Sequence, residues 1–331
     1  MKAVENRRTF LKGSLTAAAA MASAPVISGQ AQQSGATAPF RGPMRISVLS
    51  YSFRGLLAEG RMDIFGYLET CKYRYGLGAA DIWSSGPKGF LPSLEESYLK
   101  KVRDALDERE MVLVDIAVDS AQVWDDDPAQ RKTYYDNAMA HLRAASILGA
   151  RFVRVDAGAG KDRSVREFTN EQFDHVVKRY QEYAQFAHDH GFKAGAESHW
   201  GPEDYWPTMK KLISAVNHPG FGISCHLGAW AGTEEERAVA DREAAPYTSH
   251  THIAWNITEG PLLIEKLTNL RNAGYPGYYS VEHHTGRDEL AEVAIQIAKV
   301  RAVLESWRTG GTGGSLSVTS RPPRPAGGMK P

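Results

Sequence analysis

Glu197, His226, His252 and Glu282 each end a short apolar run in the second half of the chain, at gaps of 29, 26 and 30 residues. Carboxylates and imidazoles hold divalent ions through oxygen and nitrogen, and they are also the side chains that most often move protons. Gaps of this length correspond to one strand, one helix and two loops. A (β/α)8 barrel repeats that unit over roughly 250 residues and gathers the C-terminal ends of its strands on one face. In such a fold the four residues converge, and two carboxylates with two imidazoles make a divalent-metal site.

The elements that must position them are legible as eight apolar runs alternating with helical patterns. The predicted strands are Arg45–Ser50, Ala79–Trp83, Val112–Ala117, Arg151–Asp156, Lys193–Glu197, Gly222–His226, Ser249–Ile253 and Tyr278–Glu282. Several are nearly continuously apolar, as parallel strands covered by helices should be. Helix starts are marked by Ser93-x-x-Glu96 and Thr169-x-x-Gln172, read as capping boxes, and by Asp127 before Pro128. Ala138, Leu142, Ala145 and Ile147 or Leu148 form one core-facing stripe ending at Gly149; Phe173, Val177, Tyr180, Ala184 and Ala187 form the next, ending at Gly191. The expected fold is α/β, a single-domain (β/α)8 TIM barrel. The first strand is not followed by a Gly-x-Gly-x-x-Gly turn, which weighs against a dinucleotide-binding open sheet.

Taken singly, each site residue has a plain structural reading. A Glu at a strand end is more often a solvated loop residue than a ligand. Glu197, however, follows the small apolar run Ala194-Gly195-Ala196, where a carboxylate is costly unless paired or metal-bound. His250 and His252 are two apart, so a strand points both to the same face, toward the barrel mouth; the plainer alternative makes one a core histidine bonded to a backbone carbonyl. Cys225, beside His226, points away from the site by the same alternation. Further strand-end residues suited to line a pocket at the mouth are Arg154, Asp156, His199, Trp200, Trp255, His284 and Arg287, with Trp83, Asp119 and Trp230 beside them. Aromatic faces pack on C–H surfaces, and Arg, His and Asp fix hydroxyls.

The bulk composition excludes some partners. Lys and Arg number 39 and so do Asp and Glu, a balance that argues for neither nucleic acid nor an anionic membrane. The two cysteines, Cys71 and Cys225, fall in different elements, and no disulfide is expected. At the N-terminus, Asn6-Arg7-Arg8-Thr9-Phe10-Leu11-Lys12 precedes an alanine-rich stretch from Gly13 to Ala24 and a small, polar run to Ala38. Residues 1–38 therefore read as a twin-arginine export signal and linker, cut after Ala24 or Ala31, in a periplasmic or secreted protein. The apolar stretch is shorter than the ~20 residues that span a bilayer, so no stable membrane anchor is expected. Residues 44–308 are the catalytic barrel. The Gly- and Pro-rich segment 309–331 is expected to be a disordered tail.

From Met44 to about Trp307 the chain resembles the xylose isomerase-like barrel superfamily, which contains sugar isomerases and epimerases, inosose dehydratases and apurinic-site endonucleases. The resemblance is carried by Glu-x-His-x-Gly at Glu197–Gly201, His-x-His at His250–His252, and the Gly-Tyr-x-Ser-x-Glu run ending at Glu282. It implies a divalent metal held by Glu, Asp, His and Glu from strands five to eight, to which Glu197, His252 and Glu282 correspond in kind. Strand six departs from the pattern: His226 stands at the Asp position and Ala229 at the position of a following His. Trp255 replaces a further acidic residue after strand seven. Mn²⁺ is the preferred metal, with Mg²⁺, Co²⁺, Fe²⁺ or Zn²⁺ as alternatives.

The resemblance further implies that Glu197 and Glu282 act as the catalytic acid and base on either face of a sugar. The expected function is a metal-dependent isomerase or epimerase working through an enediolate. Export favours a free sugar or a glycoside over a sugar phosphate. The alternative is a lyase that eliminates the aglycone from a 3-keto-glycoside. A non-catalytic sugar-binding barrel and a metal-dependent endonuclease rank lower, and a homo-oligomer is left open.

Overall fold

A computed structural model describes residues 44–284 and 287–310. The segment read as an export signal and linker (1–38) and nearly all of the segment read as a tail (309–331) lie outside the described residues. The strands are β1 (Ile46–Val48), β2 (Ala79–Ser84), β3 (Val112–Val118), β4 (Phe152–Val155), β5 (Lys193–Glu197), β6 (Phe221–His226), β7 (Thr248–Ala254) and β8 (Tyr279–Glu282). All pair in parallel, in the order β1-β8-β7-β6-β5-β4-β3-β2. The main helices between and after them are α1 (Ile64–Glu69), α2 (Glu96–Glu108), α3 (Pro128–Leu148), α4 (Asn170–Asp189), α5 (Trp206–Val216), α6 (Glu234–Ala244), α7 (Leu263–Asn272) and α8 (Glu289–Arg308). This is a nearly closed (β/α)8 barrel, with strand bounds within two residues of those read from the sequence. No described helix is long and apolar enough to cross a membrane.

The ladder does not close between β1 and β2, where a lone backbone bridge joins Leu49 to Asp81 among the described residues. Tyr67 on α1 fills that gap. Its hydroxyl lies 2.6 Å from the Val48 carbonyl and 2.9 Å from the Asp81 carbonyl, and it accepts a bond from the Asp81 amide at 2.8 Å. One phenol thus satisfies backbone groups that a strand would otherwise pair.

Strand alternation sorts the side chains into two layers. Val48, Ile82, Ile116, Val153, Val155, Cys225, Ile253 and Val281 join the apolar core that the helices cover. The other face holds Asp81, Asp115, Arg154, Glu197, Ser224, His250, His252 and Ser280, all buried. Branched apolar residues dominate the interior of most such barrels; here the interior is polar. Two register irregularities serve it. One between Ala80 and Asp81 sets Asp81 beside Asp115, and one between Ile223 and Ser224 sets His226 beside His252.

Helix starts behave largely as their residues dictate. Thr169 and Gln172 form a reciprocal capping box on α4, and Asp127 caps α3 ahead of Pro128. Thr233 and Glu236 form a second box on α6 that sequence reasoning passed over. The expected box at Ser93 and Glu96 does not form. Glu95 is the extended residue before α2, and Ser93 Oγ accepts from the Glu95 amide at 3.2 Å, so the hydroxyl is spent before the helix begins. Cys71 and Cys225 are both buried and free.

Candidate active site

β5 to β8 deliver Glu197, His226, His252 and Glu282 to the C-terminal mouth of the barrel. His252 Nδ1 lies 2.5 Å from Glu197 Oε1 and 3.9 Å from Glu282 Oε2. His226 Nε2 is 3.5 Å from Glu282 Oε2, and its Nδ1 is 3.9 Å from Glu197 Oε1. The four residues separated in sequence are therefore one cluster. The Ser198 hydroxyl accepts a 2.9 Å bond from the His226 amide, tying β5 to β6 at this point.

The charges at the mouth are set by burial and by one another. Burial alone would raise the Glu197 carboxyl, yet His252, Arg154 and His199 hold it well below the usual range. Glu282 is treated likewise, with His226, His284 and His252 bringing it down to about 2 against the effect of burial. Burial pushes His226 down to about 4, leaving a neutral imidazole with a free lone pair. His252 goes the other way: despite burial, Glu197 and Asp81 raise it well above its ordinary value. A cation is thus already favoured between Glu197 and Asp81, where His252 carries it as a proton.

These donors fit a divalent ion. Ligand atoms of Glu197, His226 and His252 lie within 4.8 Å of one another. Glu282 Oε2 is buried, faces both imidazoles, and has no hydrogen-bond partner among the described residues. Two carboxylates and two imidazoles are a common donor set for first-row divalent metals, with thiolate absent because Cys225 points outward.

Around the cluster, Arg154 is the main cation. Its Nη1 bonds Asp156 at 2.6 Å, its Nη2 lies 3.5 Å from Asp119, and its Nε is 3.2 Å from Glu197 Oε2. His199 Nδ1 stands 3.3 Å from Asp156 and 3.4 Å from Glu197. His284 Nε2 reaches Glu282 Oε1 at 3.1 Å. Trp83 bonds Asp119 at 2.7 Å and packs edge-on against Tyr51, which also meets His284. Trp200 is half-buried, packs against His199, and carries Lys161 over its ring at 3.9 Å.

Three aromatic or cationic residues read from the sequence fall elsewhere. Trp255 packs on His283, whose imidazole is bonded to Glu292 on α8. Arg287 is exposed and lines a cleft with Gly55, Leu56, Glu59 and Arg61 rather than with the cluster residues. Trp230 is fully buried and bonds Asp241, so it belongs to the core rather than to a sugar pocket. Sequence reasoning missed Tyr51 and, more consequentially, Asp81 and Asp115. Both aspartates interrupt apolar strands, and a carboxylate in mid-strand is itself a signal because it must be compensated.

The turn after β5 explains the spacing of Glu197, His199 and Gly201. Gly201 has φ +56°, and a Cβ there would come within 2.8 Å of the Gly160 carbonyl. The short turn that follows buries Glu203 and Asp204. Glu203 Oε2 accepts from the Ala157 amide at 2.8 Å, fixing the end of β4, and Asp204 pairs with Arg163 at 2.6 Å. Burial, only partly offset by Arg163, pushes Asp204 up to about 7. An acid raised in the folded state binds more protons there than when unfolded, so its contribution to stability declines as pH rises from about 4 to about 7. Stability of the wild type relative to Asp204→Asn is therefore expected to fall across that window in urea melts. A difference independent of pH would contradict it.

Fold and site together define a class: a parallel (β/α)8 barrel whose mouth gathers carboxylates and imidazoles from its last four strands. The chain belongs to the xylose isomerase-like TIM barrel family, whose model matches residues 73–306. No curated protein matches it in sequence. Among solved structures it is similar to the Escherichia coli 3-keto-D-glucoside 4-epimerase YcjR, with TM-score 0.61 and 17% identity over 78% of this chain and 100% of that one. It is also similar to D-psicose 3-epimerase with D-tagatose from Clostridium cellulolyticum H10, at TM-score 0.62 and 15% identity over 80% and 99%. A xylose isomerase-like barrel from Mycobacterium smegmatis in complex with magnesium gives TM-score 0.60 and 14% identity over 81% and 97%.

Proposed function

We propose that the chain is a metal-dependent enzyme that moves a proton beside the carbonyl of a non-phosphorylated sugar, as an isomerase or epimerase. The observation that carries this is the pair of ionised carboxylates, Glu197 and Glu282, set on either side of two imidazoles in one buried cluster. Glu197, His226, His252 and Glu282 would hold a divalent ion, for which Mn²⁺ is preferred and Mg²⁺, Co²⁺, Fe²⁺ or Zn²⁺ are alternatives. When bound, that ion supplies the Lewis acidity that polarises a carbonyl.

The chain's own residues do the rest. Glu282 takes the proton from one face of the sugar and Glu197 serves the other. His226, neutral, leaves its lone pair available. Arg154 steadies the charge of Glu197 and Asp156, while His199, His284, Trp200, Trp83 and Asp119 line the approach for hydroxyls and C–H faces. The similar solved structures, a 3-keto-D-glucoside 4-epimerase and a D-psicose 3-epimerase with D-tagatose, support a sugar. The Arg7-Arg8 segment, read as an export signal, supports a location in the periplasm or outside the cell, where free sugars and glycosides are more accessible than sugar phosphates.

A second reading is a lyase on a 3-keto-glycoside. His226 in place of the family's Asp favours it, because a neutral imidazole there removes one negative charge from beside Glu282. Incubation of free ketoses with Mn²⁺-loaded protein in D₂O is expected to exchange the proton beside the carbonyl. Release of aglycone from 3-keto-glycosides, with no exchange in free ketoses, would replace the first reading by the second. Neither outcome would sink both.

A further inference from the structure

We propose that Asp81, Asp115 and His250 form a second divalent-cation site inside the barrel, one layer below the mouth and sharing His252 with it. It goes beyond the reading above, which concerns the mouth alone. Ligand atoms of Asp81, Asp115, His250 and His252 all lie within 4.8 Å of one another. All four residues are at most 1% exposed. The register irregularity of β2 puts the two carboxylates side by side, and β7 supplies both imidazoles.

Hydrogen bonding leaves this group incomplete. Asp81 Oδ2 is well served, by His250 Nε2 at 2.7 Å and Ser280 Oγ at 2.5 Å. Asp81 Oδ1 and both oxygens of Asp115 have no hydrogen-bond partner among the described residues. His252 Nε2 lies 3.4 Å from Asp81 Oδ2 without forming a well-aligned bond. Buried polar atoms are nearly always satisfied, and a group that is not calls for a water or an ion. A proton could join the two aspartates, but it would occupy only two of the three open oxygens. A divalent cation engages several acceptors at once and cancels the charge of both carboxylates.

The geometry suits a small ion. Bonds of about 2.1 Å to nitrogen and oxygen imply ligand separations of about 3.4 Å around a tetrahedral centre, inside the spread seen here. His252 presents Nδ1 to Glu197 at the mouth and Nε2 to Asp81 below. One imidazole therefore touches both groups; with both sites filled it would bridge them as an imidazolate, its ring protons released to solvent, so that filling one site changes the charge at the other.

The test unfolds the full chain in chelator, refolds it with Zn²⁺, and counts zinc per chain by elemental mass spectrometry. Two ions are expected for the wild type, one for Asp115→Asn and one for Glu282→Ala. One ion in the wild type, still present in Asp115→Asn and lost in Glu282→Ala, would overturn the interior site and keep the mouth. One ion that is lost in Asp115→Asn and kept in Glu282→Ala would support the interior site and refute the mouth. No bound zinc would overturn both. Thermal melts guard against misfolding: without metal, Asp115→Asn should melt no lower than the wild type, because it removes a buried carboxylate whose oxygens have no hydrogen-bond partner among the described residues. Its zinc-dependent rise in melting temperature should be smaller than that of the wild type. An equal rise would overturn the proposal.

Discussion

Glu282→Gln is expected to slow proton exchange by about 10²–10⁴-fold at saturating Mn²⁺, the usual span for loss of a general base. The amide keeps the shape and one oxygen donor of Glu282 but cannot accept a proton from carbon. The carboxylate it replaces is held ionised, down to about 2, by His226, His284 and His252. It is therefore ready as a base across the whole neutral range, and no acid limb from Glu282 should appear above about pH 4. Its Oε2, without a hydrogen-bond partner among the described residues, faces the two imidazoles. Exchange within tenfold of the wild type, at metal concentrations shown to saturate the variant, would remove Glu282 from the chemistry. Loss of metal binding without loss of exchange in the residual loaded fraction would leave it a ligand only.

The largest effect on stability is expected at Arg154→Met. Arg154 is buried between Asp156 at 2.6 Å and Glu197 at 3.2 Å, with Asp119 at 3.5 Å. Removing one member of a buried ionic group strands the others, at a cost of about 3–5 kcal/mol. Here two buried carboxylates lose their shared cation, so the upper end is expected for protein without metal. Bound metal should recover part of the loss, since it also compensates Glu197. Chemical denaturation of both proteins, with and without Mn²⁺, measures this. A loss below 1 kcal/mol without metal would mean that water already screens the group.

Much of this architecture is written in local pattern. Strand ends follow from apolar runs closed by Gly and polar residues, and Thr169, Asp127 and Gly149 act at helix ends as their chemistry requires. The mouth cluster was legible because strand ends of a barrel share one face. Loop paths were not. Trp255 and Trp230 stand just beyond strand ends like His199 and His284, yet one packs on His283 and the other drops into the core. Which way a chain turns after a strand depends on tertiary packing. Ser93 failed as a cap for a related reason, because the residue that precedes α2 is Glu95, two positions later than the residue pair suggests. Asp81 and Asp115 are a different case: their cost in mid-strand was visible, but their mutual contact needed the register shift between β2 and β3.

The phenol that spans β1 and β2 has one proton to offer to two carbonyls. The ring of strands is therefore fastened at that point by a clasp weaker than a strand ladder, and it is the natural place for the barrel to breathe. Asp81 belongs to that same seam through its backbone. Leu49, Tyr67 and Asp81 are all buried, so the barrel is sealed there by the packing of α1, where every other strand pair is sealed by its own backbone.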